Sequence, residues 1–243
     1  LISRVAEDGV PVLLFNARMS ERSYKKWLLF QTFISNLLQK FLIIAACSKQ
    51  DYNHYHHLSA HNTMLLGNLK YAAPPLDYNV KYLAALHSKL SARNIWIAAS
   101  LHAGEERYIL DVHKQLKKEI SNLFTIIIPR HPVRKGNIEA ILCEEQISYT
   151  CNIKSYQRDT ELMLVSEIGV LGDYFRISEI VFIGGTFVKI GGHNLLEPAK
   201  LRCAILTGPF FYNFKEITEN FIAKDAVRIV HDSRELYEQL LLL

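Results

Sequence analysis

The stretch IVFIGGTFVKIGGHNLLEPAK, Ile180 to Lys200, holds a strand, a glycine-rich loop and a helix start in that order. Ile180 to Ile183 is a short β-branched and aromatic run of strand type. Gly184-Gly185 and Gly191-Gly192 let the backbone pass close to a ligand or take positive φ. The spacing then predicts a helix over Leu195 to Leu201, opened by Asn194, whose first-turn N–H groups face outward. Unpaired donors at a helix start favour an anion such as a phosphate. Glu197, inside that first turn, is placed to accept hydrogen bonds from ribose hydroxyls. The plain alternative is a tight turn with no ligand.

Working outward, the same alternation of short apolar runs and helically spaced stretches fills the chain, the pattern of parallel sheets covered by helices. Ahead of residue 75 the expected strands are Val10 to Asn16, Leu42 to Cys47 and Thr63 to Leu66. A single amphipathic helix is expected over Arg22 to Lys40, with Trp27, Phe30, Ile34, Leu37 and Leu38 on one stripe that runs on to Phe41. Ser48, three residues before Asp51, reads as a helix N-cap. The two prolines of Ala72-Ala73-Pro74-Pro75-Leu76-Asp77 forbid helix and ladder alike and mark a linker. Beyond it come strands at Ile95 to Ala99, Thr125 to Ile128, Glu161 to Val165, Ile180 to Ile183, Ala204 to Leu206 and Val227 to Val230. Helices are expected at Glu105 to Ile120, Val133 to Glu145, Leu195 to Leu201, Phe214 to Ala223 and Ser233 to Leu243. The fold class is α/β: two doubly wound parallel-sheet units, residues 1–75 and 76–243, the first incomplete with about three strands.

Composition agrees. The 243 residues are 49% hydrophobic and 21% charged, an ordinary globular balance that excludes disordered, collagen-like and disulfide-stapled classes. Four cysteines at 47, 143, 151 and 203 have neither zinc-site nor disulfide-framework spacing. Net charge is +4, too small to imply nucleic acid. Its distribution is uneven, with ten basic against five acidic residues in positions 1–90. A basic region beside an apolar stretch suits an anionic membrane surface, or is a solvated helix face. Trp27 to Ala46, the longest apolar stretch, is too often interrupted by polar residues to span a bilayer.

Ligands of open parallel sheets bind beyond the carboxyl ends of the strands. The residues expected at that edge are Ser100 to Glu106, Pro129-Arg130-His131-Pro132 and Gly184 to Pro198. Arg130, held between two prolines, can fork onto a phosphate or simply be solvated. His54, His56, His57 and His61 lack a placed acidic partner and read as a polar helix end, so no metal is expected. There is no G-x-G-x-x-G opening a helix, no Walker A lysine and no G-x-S-x-G elbow, which counts against a dinucleotide oxidoreductase, a P-loop NTPase and a serine hydrolase.

The run GGTFVKIGGHNLLEPA, Gly184 to Ala199, resembles the signature of the 3-deoxy-D-manno-octulosonic acid (Kdo) transferases of lipopolysaccharide synthesis. Five further segments follow the family's order: NARMSERS (16–23), LGNLK (66–70), SLHAGEE (100–106), PRHP (129–132) and IGVLG (168–172). The resemblance implies a GT-B glycosyltransferase of two Rossmann-like domains. Residues 1–75 are then the carboxyl-terminal part of the acceptor-side domain, and 76–243 the CMP-Kdo binding domain. It implies CMP-Kdo as donor, a lipid A precursor (lipid IVA) as acceptor, no cofactor, and peripheral work at the cytoplasmic face of the bacterial inner membrane. The CMP contacts carry over to Pro129, Arg130, Ile168, Gly169, Val170, Asn194, Leu195, Leu196 and Glu197, and the transition-state lysine to Lys70.

This sequence departs from the family pattern in three ways. Leu1 aligns downstream of the family's general-base glutamate, so the chain is expected to be a fragment lacking that base. Val170 stands where the family carries glutamate, and Leu101 where it carries threonine. The alternative to a fragment of an enzyme is a catalytically inactive remnant that still binds nucleotide.

Overall fold

A computed structural model describes residues 1–243. The chain divides into two compact units, Leu1–Pro74 and Pro75–Leu243. No helix is long and apolar enough to cross a membrane.

The first unit runs α1 (Ile2–Glu7), β1 (Val12–Ala17), α2 (Glu21–Leu28), α3 (Gln31–Leu38), β2 (Phe41–Ala46), α4 (Lys49–His57) and β3 (Thr63–Leu65). Its three strands pair in parallel in the order β1-β2-β3. Ile34, Leu38, Ile44, Tyr55 and Leu58 form the core on one face. Ser48 caps α4 as its sequence foretells, its Oγ accepting from Asp51 N–H at 3.1 Å. The Asp51 carboxylate in turn accepts from Met19 N–H at 2.7 Å and fixes the turn after β1.

The single helix expected over Arg22 to Lys40 is two helices, broken at Leu29-Phe30, where Phe30 has φ −123° and ψ 39°. A straight helix of that length would span roughly 28 Å, well beyond the roughly 20 Å of a six-residue strand. The break folds the second half back so that Ile34 and Leu38 reach the core, and it leaves Phe30 exposed rather than on the buried stripe. Phe41, the end of that expected stripe, begins β2 instead.

The second unit runs α5 (Val80–Leu90), β4 (Asn94–Leu101), α6 (Glu105–Glu119), β5 (Leu123–Pro129), α7 (Lys135–Glu144), β6 (Tyr149–Thr150), β7 (Leu162–Leu164), α8 (Leu171–Tyr174), β8 (Ile180–Ile183), α9 (Leu196–Lys200), β9 (Ala204–Thr207), α10 (Lys215–Ile222), β10 (Arg228–Ile229) and α11 (Ser233–Leu242). All seven strands are parallel, in the order β10-β9-β8-β4-β5-β7-β6. Strands β4 and β5 are buried on both faces, which is why they read as continuous apolar runs. Ile97 and Ala99 face a core with α5, α9 and α10, while Trp96, Ala98 and Leu101 face α6, α7 and α11.

Helix α5 has no counterpart in the sequence reading, although Asn79 caps it by accepting from Lys81 and Tyr82 N–H. The expected helix start at Val133 is a 3-10 turn over Pro132–Arg134. After β5 the chain continues to one side of β4, and from β8 to the other. The switch point therefore lies between β4 and β8, where a doubly wound sheet opens a crevice at its carboxyl edge.

Candidate functional site

Four loops share the carboxyl edge of the second unit, following β4, β5, β7 and β8. Strand β4 ends in a register shift between Ala99 and Leu101, and Ser100 sits there at φ +59°. A non-glycine residue in that region costs about 1 to 3 kcal/mol and recurs where a loop must be re-aimed. Here it turns His102 to Gly104 over the edge and delivers Glu105 and Glu106 to the first turn of α6.

Those two glutamates organise the edge. Glu105 is 0% exposed, and its carboxylate accepts from four backbone N–H groups: His102 at 2.9 Å, Gly185 at 2.7 Å, Thr186 at 2.9 Å and Phe187 at 2.9 Å. It ties the β4 loop to the β8 loop across the switch point. Glu106, also buried, accepts from Gly104 N–H at 2.9 Å and from Arg134 Nε and Nη2 at 3.1 and 2.7 Å, which holds the turn after β5. Gly185 has φ +71°, and a Cβ there would come within 3.0 Å of the His193 ring.

Three histidines meet above this frame. His102 and His193 share a hydrogen bond between their Nε2 atoms at 2.8 Å, and their ring planes agree within 4°. Their centroids are 5.1 Å apart, which is the nitrogen–nitrogen distance plus the two ring radii, so the rings lie edge to edge rather than face over face. His131 packs edge-on against His102 at 5.5 Å. Burial is the main cause holding His193 down to about 4, helped by His102, Arg130 and His131. Burial likewise lowers His102, opposed by Glu105 and aided by His131, Arg130 and Arg134.

The expected contact residues fall as follows. Pro129 is the buried last residue of β5, and Arg130 is exposed just beyond it, its N–H donating to Leu101 O at 2.9 Å. Asn194 accepts from Leu196 N–H at 3.2 Å and donates to Glu197 Oε1 at 3.1 Å. Leu195 and Leu196 bury their side chains in the core, so only their backbone can meet a ligand. Ile168 and Gly169 are exposed in the β7 loop, and Val170 packs partly on the core. That loop lies three strand positions from β8, roughly 14 Å at sheet spacing. Lys70 belongs to the first unit, in a 3-10 turn where its N–H donates to Asn68 Oδ1.

Two details differ from expectation. The N–H groups of Gly185, Thr186 and Phe187 already hold the Glu105 carboxylate, so the first glycine pair has no donors left for an external anion. The helix after Asn194 has five residues, too short for a large dipole. The N–H groups of His193, Asn194 and Leu195 donate to no group of the protein.

Residue type and spacing assign the histidine and glutamates of SLHAGEE no role, and the structure gives them one. The legible signal is an acidic pair directly behind a glycine at a strand-to-helix junction. In the first unit, His54 is engaged on both ring nitrogens, with Met19 O at 2.9 Å and Glu21 Oε2 at 3.1 Å. Nowhere do three or more histidine, cysteine or acidic side chains gather in a metal-holding group.

Comparison with known proteins gives a consistent picture. The family described as 3-deoxy-D-manno-octulosonic-acid transferase (kdotransferase) matches residues 1–73. A 3-deoxy-D-manno-octulosonic acid transferase of Rickettsia felis is 32% identical over 231 residues, 94% of this chain and 50% of that protein. The chain spans about half the length of the curated relatives it matches. The crystal structure of the C-terminal CMP-Kdo binding domain of WaaA from Acinetobacter baumannii is 30% identical with a TM-score of 0.63, covering 67% of this chain and 86% of that one. A putative UDP-N-acetylglucosamine 2-epimerase from Listeria monocytogenes, at 12% identity and a TM-score of 0.58, shares the fold over 99% of this chain and 61% of its own.

Proposed function

Since this chain belongs to the 3-deoxy-D-manno-octulosonic acid transferase family and has its GT-B α/β fold, we propose that residues 76–243 bind CMP-Kdo and residues 1–75 are part of the acceptor-side domain. The reaction is transfer of Kdo from CMP-Kdo to a lipid A precursor, lipid IVA, at the cytoplasmic face of the inner membrane.

One observation supports the donor site above all. Arg130 and the three histidines lie close enough at the switch point to act on one another electrostatically, Glu105 and Glu106 hold the loops there, and the N–H groups of His193 to Leu195 make no bond within the protein. Breaking the bond between Kdo and the phosphate puts negative charge on the departing CMP and oxocarbenium character on the sugar. Donors fixed beforehand at the phosphate lower that barrier because they need not reorganise as charge develops. Arg130 and the β8-loop N–H groups are suited to the phosphate and Glu197 to the ribose. Ile168 to Val170, farther along the edge, are suited to the base. The transition-state role proposed for Lys70 rests on the family resemblance of LGNLK (66–70) alone.

Membrane contact is supported by the helix break in the first unit. Leu29 and Phe30 are 79% and 64% exposed, with Phe33 beside them, and Arg22, Lys25 and Lys26 lie around Leu29 together with Glu21, which pairs with Lys25. An apolar tip beside three cations and one anion suits an anionic bilayer surface.

The test is calorimetric titration of the chain with CMP, alongside Arg130→Ala. Removing one charge-assisted hydrogen bond is expected to cost about 1.5 to 3 kcal/mol of binding. Equal affinity in both proteins, or binding in neither, overturns the donor-site assignment.

A further inference from the structure

His102 follows β4 and His193 lies in the β8 loop, so the two rings meet over the switch point itself. An Nε2–Nε2 hydrogen bond contains one proton, with one ring the donor and the other the acceptor. The edge-to-edge geometry suits such a linear bond. With both Nε2 atoms engaged, the pair offers outward one Nδ1–H and one bare Nδ1. One added proton goes to the bare Nδ1 and makes the pair an imidazolium–imidazole cation that keeps the Nε2–Nε2 bond, whereas two added protons would set two imidazolium rings against each other at 2.8 Å.

Burial first, and then the neighbouring cations, keep that added proton out while the site is empty. Facing the pair are Arg130 and His131 from the β5 loop, Arg134 from the following turn, and Glu105 from α6. Glu105 is the one anion among them, and its carboxylate is spread over four N–H donors. A phosphoryl group bound at Arg130 on this edge brings the missing negative charge near both rings. It offsets Arg130 and favours the singly protonated pair, whose two Nδ1–H groups can donate to phosphate oxygens.

We propose that His102 and His193 bind the ligand's phosphoryl group as one unit, taking up one proton from solvent as the phosphate arrives. The pair then serves two ends. Empty, it is a neutral bridge that fastens the two loops of the crevice. Loaded, it is a cation on the leaving group, matched to a charge that grows as the sugar departs. The inference rests on the donor-site reading above, and it names residues and a proton count which that reading does not contain.

The decisive measurement uses the full chain with ¹⁵N-labelled histidine. Long-range ¹H–¹⁵N spectra distinguish neutral tautomers from imidazolium, and they are recorded across pH without and with saturating CMP. An opposite charge within about 4 to 6 Å moves a titration midpoint by about 1 to 3 on the pH scale, and the pair is expected to titrate higher by that amount when CMP is bound. Calorimetry in parallel establishes binding. If CMP binds and the pair titrates unchanged, the inference is overturned and the donor site stands. If CMP does not bind, both fall.

A second readout comes from affinity. A midpoint raised by about one on the pH scale when CMP binds corresponds to about tenfold tighter binding on the acid side of the window. His193 is held at about 4 in the empty site, so the wild-type chain is expected to bind CMP at least about threefold more tightly at pH 4.5 than at pH 8 once the slope of His193→Gln is subtracted. That variant retains the phosphate's own titration and loses the pair. Identical slopes in the two proteins overturn the proposal.

Discussion

Glu105 carries two kinds of work in one carboxylate. It closes the turn of the β8 loop by supplying an internal anion to three successive N–H groups, and it binds the β4 loop through His102. Glu105→Gln keeps the shape but turns one acceptor oxygen into a donor aimed at N–H groups. Orphaned buried donors cost about 1 to 3 kcal/mol each, so the variant is expected to lose on the order of 3 kcal/mol of stability. Urea unfolding followed by tryptophan fluorescence reads this directly, since Trp96 lies in the same unit. A midpoint unchanged from wild type shows that the loop does not depend on the carboxylate. None of this follows from residue type alone, because an acidic residue in the first turn of a helix is an ordinary macrodipole partner until the loop it reaches is known.

At the scale of elements, the strands are the most legible part. Ile180–Ile183 has the limits its sequence indicates, and the other long strands differ by a few residues at their ends. They are buried runs whose composition admits little else. Helices are less legible where the sheet beneath sets their length, as at Leu29-Phe30, and where prolines draw the reading away from Asn79 and α5. Among site residues, Arg130 and Asn194 are legible because strand-end position predicts the edge. The histidine pair is not, since its members stand 91 residues apart and only the crossing between β4 and β8 unites them.

The packing of α6 on β5 adds an element-scale prediction. His113 is buried, and it meets Thr125 Oγ1 at 2.8 Å through Nδ1. Burial first, then Lys117, Lys114 and Arg93, push it down to about 4 from 6.5. The folded chain thus resists a proton that the unfolded chain accepts. Stability is full above pH 6.5 and declines as pH falls from there towards 4. At about 1.4 kcal/mol per pH unit the loss by pH 4 is on the order of 3 kcal/mol. Denaturant midpoints at pH 7.5 and 4.5 are expected to differ more in wild type than in His113→Gln. His193 titrates in the same window and is present in both proteins, so the difference isolates His113. Equal acid sensitivity in the two proteins removes His113 as the cause.

For the molecule as a whole, the two units differ in how completely they bury themselves. The second has apolar clusters on both faces of a seven-stranded sheet, with helices over each. The first has one cluster, and Leu13, Phe15, Leu42 and Met64 of its three strands remain exposed. A sheet with an uncovered apolar face loses much of the burial that offsets chain entropy. Residues 75–243 expressed alone are therefore expected to fold, to keep the unfolding transition that this unit shows in the full chain, and to bind CMP with unchanged affinity. Residues 1–74 alone are expected to be marginal and to bind a dye for exposed apolar surface. Scanning calorimetry of the three proteins, with CMP titrations on the full chain and on residues 75–243, checks this. If residues 75–243 fail to fold or bind CMP at least about tenfold more weakly, a difference of about 1.4 kcal/mol, then the donor site depends on the first unit and its architecture is not self-sufficient.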